Sequence, residues 1–307
     1  MSQLNTSFKG KNVFISGASR GIGLGIALAL ARDGAKIAIA AKTVTPNPKL
    51  PGTIFTAAEE INKAGGRGLP IECDIRSEES VQKAVEKTIQ EFGGIDIVIN
   101  NASAISLSTT QDTSLKKYDL MNTVNARGTW LVSKICLPYL LKSAEQLRNP
   151  HILTLSPPLE NTITDVKWWK HTTPYSMAKF GMSLVTLGLS GELEGFVGAN
   201  ALWPLTKIQT AALQIFGDSH NSRDVSIMAD VAYEMLKKDG RTYTGQFEID
   251  ELFLRREKGI TDFSGYVFQV DPKNPRPLAD EDLDPDFFIA DTARDEVKRL
   301  RAGRSKL

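Results

Sequence analysis

The chain has 307 residues, of which 24% are charged and 41% hydrophobic, and its formal net charge is +1. A net charge so close to zero, with no basic tract, excludes general electrostatic attraction to nucleic acid or to an anionic membrane as the basis of function. Two cysteines lie outside any metal-ligand spacing, and no apolar run reaches the roughly 18 residues of a membrane span, so we expect a soluble intracellular protein.

Short apolar runs rich in β-branched residues alternate along the chain with longer segments of helical periodicity. The predicted strands span 12–16, 36–40, 67–72, 95–100, 151–155, 198–202 and 246–249. The predicted helices span 22–33, 53–64, 78–92, 125–142, 174–194 and 224–237. This alternation is typical of a parallel sheet covered by helices on both faces. We therefore predict an α/β fold, a doubly wound Rossmann-type sheet in a single domain over residues 9–250, followed by a C-terminal extension over 251–307.

A glycine-rich turn joins the first predicted strand to the first predicted helix. It consists of Gly17, Ala18, Ser19, Arg20, Gly21, Ile22 and Gly23. Gly17 permits a tight turn, Gly21 lets the backbone approach a pyrophosphate, and Gly23 lets the helix pack on the strand. The amides at the helix N-terminus then face the anion. The turn predicts a dinucleotide-binding site, because an ordinary strand-to-helix turn rarely needs three glycines at these offsets.

The residues after the second and third predicted strands bear on the choice of dinucleotide. An NAD site usually places Asp or Glu after the second strand to accept a hydrogen bond from the ribose 2′-hydroxyl. Lys42 stands there instead, and with Arg20 it offers positive charge to a 2′-phosphate. This predicts NADP(H) rather than NAD(H), although Lys42 is also compatible with a solvated surface lysine. Asp74 is predicted to hydrogen-bond the adenine ring or, alternatively, to be a charge at a helix N-terminus.

Tyr175 and Lys179 lie four residues apart in a segment that Pro174 starts as a helix, so both face the same side. A free phenol has a pKa near 10 and is a poor acid or base at neutral pH. A neighbouring ammonium is expected to lower that pKa. The pair therefore predicts proton transfer by Tyr175 while hydride moves between a substrate carbon and a nicotinamide.

With these motifs in this order, the chain resembles the short-chain dehydrogenase/reductase family over roughly residues 9–250. The matching motifs are the glycine turn, Asn100-Asn101-Ala102, Asn125, Tyr175 and Lys179. The resemblance implies that Asn101 lines the cofactor, that Asn125 supports a water-linked proton relay to Lys179, and that Lys179 also binds the nicotinamide ribose. It further implies that Thr206 contacts the carboxamide and that the protein forms a homodimer or homotetramer through its two long helices.

A narrower likeness is to the hydroxysteroid dehydrogenase-like members of that family. It rests on Ala40-Ala41-Lys42-Thr43, on 100–107 and on Asn200-Ala201-Leu202-Trp203-Pro204. Those members are peroxisomal oxidoreductases with an additional sterol-carrier domain, which is not expected in this sequence. The last three residues, Ser305-Lys306-Leu307, match the address that the peroxisomal import receptor reads at a C-terminus. We therefore expect a peroxisomal protein with a lipid-like substrate, the alternative location being the cytoplasm.

The chain departs from the family where a catalytic serine is usual. Family enzymes place a serine about 13 residues before the tyrosine to orient the carbonyl. Here Ser156 lies 19 residues before Tyr175, and the strand register places Pro157 at the usual serine position. Either Ser156 is re-aimed as the catalytic hydroxyl, or His171 or Thr173 replaces it, or turnover is weak. The alternative for Ser156 is a strand-end serine bonded to backbone.

Two functional hypotheses follow from these residues. The first is an NADP(H)-dependent oxidoreductase acting on a carbonyl or secondary alcohol, with Tyr175, Lys179, Asn125 and Ser156 as the catalytic residues. The second is an NADP(H)-binding sensor or scaffold with little turnover, which the missing serine favours. The adjacent Trp168 and Trp169 are predicted either to form an apolar wall for substrate or to pack a lid.

Overall fold

The computed structural model describes residues 7–47, 50–211, 213, 221–268 and 282–302. Its seven strands are β1 Asn12–Ser16, β2 Lys36–Ala41, β3 Arg67–Glu72, β4 Ile97–Asn100, β5 His151–Thr154, β6 Gly198–Trp203 and β7 Phe247–Ile249. They form one sheet in the order β3-β2-β1-β4-β5-β6-β7, and all neighbouring strands are parallel. The predicted doubly wound α/β fold is confirmed.

Helices cover both faces of the sheet. They are α1 Gly21–Arg32, α2 Ile54–Lys63, α3 Glu78–Phe92, α4 Leu115–Asn122, α5 Gly128–Glu145, α6 Thr173–Glu192, α7 Ser226–Leu236, α8 Asp250–Lys258 and α9 Asp291–Arg301. Alternate residues of the buried central strand β1 point into opposite layers: Val13 and Ile15 pack under α1 and α7, and Phe14 packs under α3 and α5. Burial on both faces explains why β1 has a nearly continuous apolar sequence.

The order of strands reverses between β1 and β4, so their carboxyl ends open a crevice where ligands bind in such sheets. The predicted site residues follow successive strands at this edge. They are Gly17 after β1, Lys42 after β2, Asp74 after β3, Asn101 after β4, Ser156 after β5 and Thr206 after β6. The fold therefore brings these dispersed residues to one edge of the sheet.

The prediction of a single helix over 125–142 is wrong at its N-terminal end. The chain forms α4, a π-helical turn over Thr123–Arg127, and then α5. The π turn buries Asn125, whose Oδ1 accepts from the Ala104 amide at 2.7 Å and whose Nδ2 donates to the Ala104 carbonyl at 3.0 Å. These two hydrogen bonds join the helix to the loop after β4, and the apolar periodicity contains no signal for them.

Two helices of the C-terminal region were not predicted. In α8, Glu251 is fully buried and its carboxylate binds Arg223 at 2.7 Å, Arg255 at 2.8 Å and Arg301 at 3.1 Å. Because the buried residues of α8 include Asp250, Glu251 and Arg255, its sequence lacks the continuous apolar stripe that marks an amphipathic helix. Arg301 belongs to α9, so the network ties the end of the chain to the interior. Within the described residues, no helix is long and apolar enough to cross a membrane.

Candidate active site

The glycine turn is closed by the loop that follows β4. Asn101 Nδ2 donates to the carbonyls of Ser16 at 3.1 Å and Gly17 at 3.0 Å. Gly17 has a φ of +73°, and a Cβ added there would lie 2.8 Å from Ala102 Cα. A Cβ added at Gly23 would lie 2.5 Å from Asn101 Nδ2. Only glycine fits at both positions. The glycine turn and Asn101 therefore form one closely packed unit.

This unit presents the N-terminus of α1 to the crevice. Ala18 and Ser19 are buried, Arg20 and Ile22 are half-buried, and no side chain caps the first helical turn. Amides of a first turn have no intrahelical acceptor and favour an anion. Thr206 Oγ1 at the same edge is buried and has no hydrogen-bond partner within the described residues. These features fit a dinucleotide whose pyrophosphate lies at α1 and whose carboxamide lies at Thr206.

Positive side chains flank the loop after β2. Arg20 donates from Nε to the Pro51 carbonyl at 3.0 Å and from Nη2 to the Gly52 carbonyl at 2.8 Å. Lys42 is 61% exposed and its Nζ lies 3.3 Å from Asp74 Oδ2. Arg76 also binds Asp74, and its hydrogen bonds hold the pKa of that carboxyl well below its usual range. Arg76 and Lys42 therefore offset the negative charge of Asp74.

Tyr175 and Lys179 are both buried in the first turns of α6, which begins at Thr173 with Pro174 in its first turn. Lys179 Nζ donates to the Leu155 carbonyl at 2.7 Å and lies 4.8 Å from the centroid of the Trp203 ring. Burial lowers the pKa of Lys179 to about 7, and the carboxylate of Asp286 opposes that change. The lysine is thus poised to exchange a proton near neutral pH.

The expected lowering of the Tyr175 pKa is wrong. Burial raises the pKa of the phenol, and the negative charge of Asp286 raises it further. Lys179 directs its ammonium to the Leu155 carbonyl, while Asp286, a residue of the C-terminal extension, faces the pair. The phenol is therefore protonated at neutral pH.

No group within the described residues clearly takes over the hydroxyl that Pro157 lacks. Ser156 is fully buried at the end of β5, and its Oγ has no hydrogen-bond partner there. His171 is exposed, and Thr173 Oγ1 donates to the Trp169 carbonyl at 2.6 Å. Thr173 is thus engaged by backbone, and His171 faces solvent. The buried Ser156 hydroxyl stays the candidate, and the structure does not bond it to backbone as the alternative predicted.

An aromatic cluster surrounds Tyr175, and part of it comes from the C-terminal extension. Its members include Trp168, Phe180, Trp203, Phe287 and Phe288. Trp168 packs against Phe288 at a centroid distance of 5.8 Å, and Trp169 stacks on Phe180 at 5.5 Å. Sequence reasoning missed Asp286, Phe287 and Phe288. The run from Phe287 to Ala290, apolar within a segment rich in Pro and Asp, is the signal that marks them.

The Lys179→Met variant is expected to be more stable than the wild type in the absence of cofactor, by on the order of 3 kcal/mol at pH 7. The pKa of Lys179 is about 7 in the folded protein and 10.5 ordinarily. Between these values the unfolded chain binds a proton that the folded chain does not, so stability falls as pH decreases towards 7. Denaturant unfolding at pH 7 and pH 10 measures the effect. If the difference in unfolding free energy between Lys179→Met and the wild type does not shrink at pH 10, the prediction is wrong. The control is Lys170→Met, because Lys170 is exposed.

Comparisons with known proteins agree with this geometry. Residues 11–213 match the model of the family described as short chain dehydrogenase. The chain is 50% identical over 306 residues to hydroxysteroid dehydrogenase-like protein 2 of Danio rerio, and 52% identical over 283 residues to that of Bos taurus. These matches cover 98% and 91% of this chain but 69% and 63% of the relatives, so the chain spans about two thirds of their length.

Solved structures give the same result. A dehydrogenase structure from Xanthomonas campestris superimposes with a TM-score of 0.83 and 50% identity, covering 92% of this chain and 99% of that one. A short chain dehydrogenase from Mycobacterium thermoresistibile has a TM-score of 0.82 and 46% identity, with coverages of 92% and 96%. The resemblance that the motifs indicated is confirmed.

Proposed function

Because the chain belongs to the short-chain dehydrogenase family, whose members are oxidoreductases acting on CH–OH or C=O groups, we propose that it transfers hydride between NADP(H) and a lipid-like carbonyl compound or secondary alcohol. The observation that carries the proposal is the buried pair Tyr175 and Lys179 beside the glycine turn and Asn101. An ordinary structural helix rarely buries a lysine, which is almost never fully buried unless it is paired.

The site residues supply the proton chemistry. Bound NADPH supplies the hydride to the carbonyl carbon. Tyr175, a phenol that is protonated at neutral pH, donates its proton to the carbonyl oxygen when the substrate is reduced. Lys179, whose pKa is about 7, then returns a proton to the phenolate. Asn125 is proposed to hold the relay water, with its side chain fixed by Ala104.

The lipid-like substrate is supported by the aromatic cluster at Tyr175, because aromatic walls bury apolar ligand surface. An activity screen tests the function. Purified protein is offered fatty aldehydes, ketosteroids and ketoacyl thioesters with NADPH and with NADH, and oxidation of the reduced cofactor is followed by absorbance. NADPH binding by calorimetry together with turnover of at least one apolar carbonyl compound is the expected result, and absence of binding to both cofactors contradicts the proposal.

NADP(H) is proposed over NAD(H) because Lys42 is exposed beside a carboxylate that Arg76 already binds. Lys42→Ala is expected to weaken NADPH binding about tenfold or more and to leave NADH binding within about twofold, because a charge-assisted hydrogen bond contributes about 1.5–3 kcal/mol. Calorimetric titration of each cofactor measures this. Equal losses for both cofactors would contradict the assignment, and the exposed Lys63→Ala is the matched control.

A second candidate is an NADP(H)-binding protein with little turnover. The observation that favours it is Pro157 at the position of the family serine, next to a Ser156 that is fully buried. It predicts that NADPH binds normally, that no carbonyl compound is reduced, and that Tyr175→Phe changes nothing. The same screen therefore separates the two candidates.

Location and assembly are further proposals. Ser305-Lys306-Leu307 lies outside the described residues, and the sequence match alone supports peroxisomal import; fluorescence microscopy of tagged chains with and without these residues tests it. A homo-oligomer is supported by exposed apolar side chains on the two long helices, Trp130 on α5 and Leu184 and Leu187 on α6. Light scattering after size exclusion measures the mass.

A further inference from the structure

Part of the C-terminal extension lies directly over the proposed active site. We call residues 284–290 the C-terminal strap. Its backbone pairs with the chain after β6, where the Asp286 amide donates to the Leu205 carbonyl at 3.0 Å and the Lys207 amide donates to the Asp284 carbonyl at 2.9 Å. Trp203 Nε1 donates to the Phe287 carbonyl at 2.7 Å. The strap is therefore held by hydrogen bonds on either side of Thr206.

Phe288 is the strap residue that reaches the reacting phenol. Its side chain is fully buried, and its ring centroid lies 6.1 Å from that of Tyr175, 5.0 Å from Phe180, 5.9 Å from Trp203 and 5.8 Å from Trp168. Only 6% of the Tyr175 surface is exposed. An apolar substrate group that approaches the phenol from this side meets the Phe288 ring.

The backbone of Phe288 is strained. Its φ is +61°, in the left-handed region that bulky residues rarely adopt. Such strain persists only where surrounding contacts over-determine it, and it is concentrated at sites where a segment switches or clamps a ligand. The neighbouring aromatic rings provide those contacts here, and they present an apolar surface of the kind that an apolar ligand group also contacts.

We propose that Phe288 is a substrate-selecting residue that occupies the place of an apolar group next to the reacting carbonyl, and that substrate binding displaces it with the strap. This inference rests on the proposed function. The space released is bounded by Phe180, Trp203 and Trp168, so it accepts an alkyl chain or ring at least as large as a phenyl group. Small carbonyl compounds lack the contact area to displace the strap.

The test uses the full chain saturated with NADP+ and octanamide, an apolar carbonyl compound that hydride does not reduce. Phe288→Gly removes the ring and suits the left-handed backbone. Calorimetry is expected to show octanamide binding at least tenfold tighter to Phe288→Gly than to the wild type. Phe8→Ala, which removes an equally buried ring that packs on Tyr233 away from the site, is expected to bind like the wild type. If Phe288→Gly fails to fold, Phe288→Leu takes its place with an expected gain of at least threefold.

Hydrogen exchange in the wild type gives a second readout. Octanamide is expected to speed amide exchange in the strap at least tenfold, and acetamide is expected to leave it unchanged. Equal or weaker octanamide binding to the variant, or strap exchange that stays constant or slows when octanamide binds, overturns the inference. Neither measurement needs turnover. An inactive protein whose strap moves therefore refutes only the enzymatic proposal. An active protein whose strap does not move refutes only the role of Phe288.

Discussion

Replacing Tyr175 with phenylalanine is expected to lower kcat about 10²- to 10⁴-fold, the usual range for loss of a general acid or base. The substitution removes one oxygen and leaves the ring in contact with Phe288. Because the phenol oxygen makes no hydrogen bond within the described residues, stability is expected to stay nearly constant. The Kd for NADPH is expected to change by no more than about threefold.

Steady-state kinetics with the best carbonyl compound from the screen, together with calorimetry of NADPH, measures both quantities. Tyr233→Phe is the matched control, since it removes a phenol oxygen whose hydrogen bond to Asp33 lies outside the proposed site. A Tyr175→Phe enzyme that keeps more than about a tenth of the wild-type kcat would show that another group moves the proton. Ser156, whose hydroxyl is buried, is then the next residue to replace.

The Glu251→Ala variant is expected to lose about 3–5 kcal/mol of unfolding free energy, the range found when one partner of a buried ion pair is removed. Glu251 and Arg223 are both inaccessible to solvent, and Arg255 is nearly so. Without the carboxylate, the buried guanidinium charges repel one another and lose a shared acceptor. Arg301 loses its link from α9 to the interior at the same time.

Urea unfolding followed by circular dichroism measures the loss. Glu91→Ala is the control, because Glu91 also binds an arginine at 2.7 Å but both side chains are at least 40% exposed. Its effect is expected to stay below about 1 kcal/mol, as for most surface pairs. A Glu251→Ala variant as stable as the control would show that water or other groups solvate the arginines. Glu251→Gln is expected to lie between the two, since it keeps an oxygen acceptor and removes the charge.

Features that depend on neighbours along the chain were predictable. β1, β3 and α3 have their predicted bounds. A continuous apolar run forms the buried strand β1, and Ser77 caps α3 through a hydrogen bond from the Ser80 amide. The turn from Gly17 to Gly23 and the pair Tyr175 and Lys179 are also local patterns. Because the strands are parallel, the residues that follow their carboxyl ends lie at one edge of the sheet, so this arrangement also follows from the predicted fold class.

Features that depend on distant contacts were not predictable. The π turn exists because Asn125 hydrogen-bonds Ala104, 21 residues away in sequence. Helix α8 buries Glu251 because Arg223 and Arg301, from two distant segments, converge on it beside Arg255 of the same helix. Burial raises the pKa of Tyr175, and Asp286, more than a hundred residues further along the chain, raises it further.

By itself, therefore, the sequence determined the α/β class, most strands and helices, the dinucleotide turn and the pair Tyr175 and Lys179, because each is encoded by residues within one element or one turn. Only the tertiary structure decided what surrounds that pair. Burial and Asp286 raise the pKa of the phenol, and Phe288 from the C-terminal strap covers it. Burial and electrostatic environment arise from segments that meet only when the chain folds.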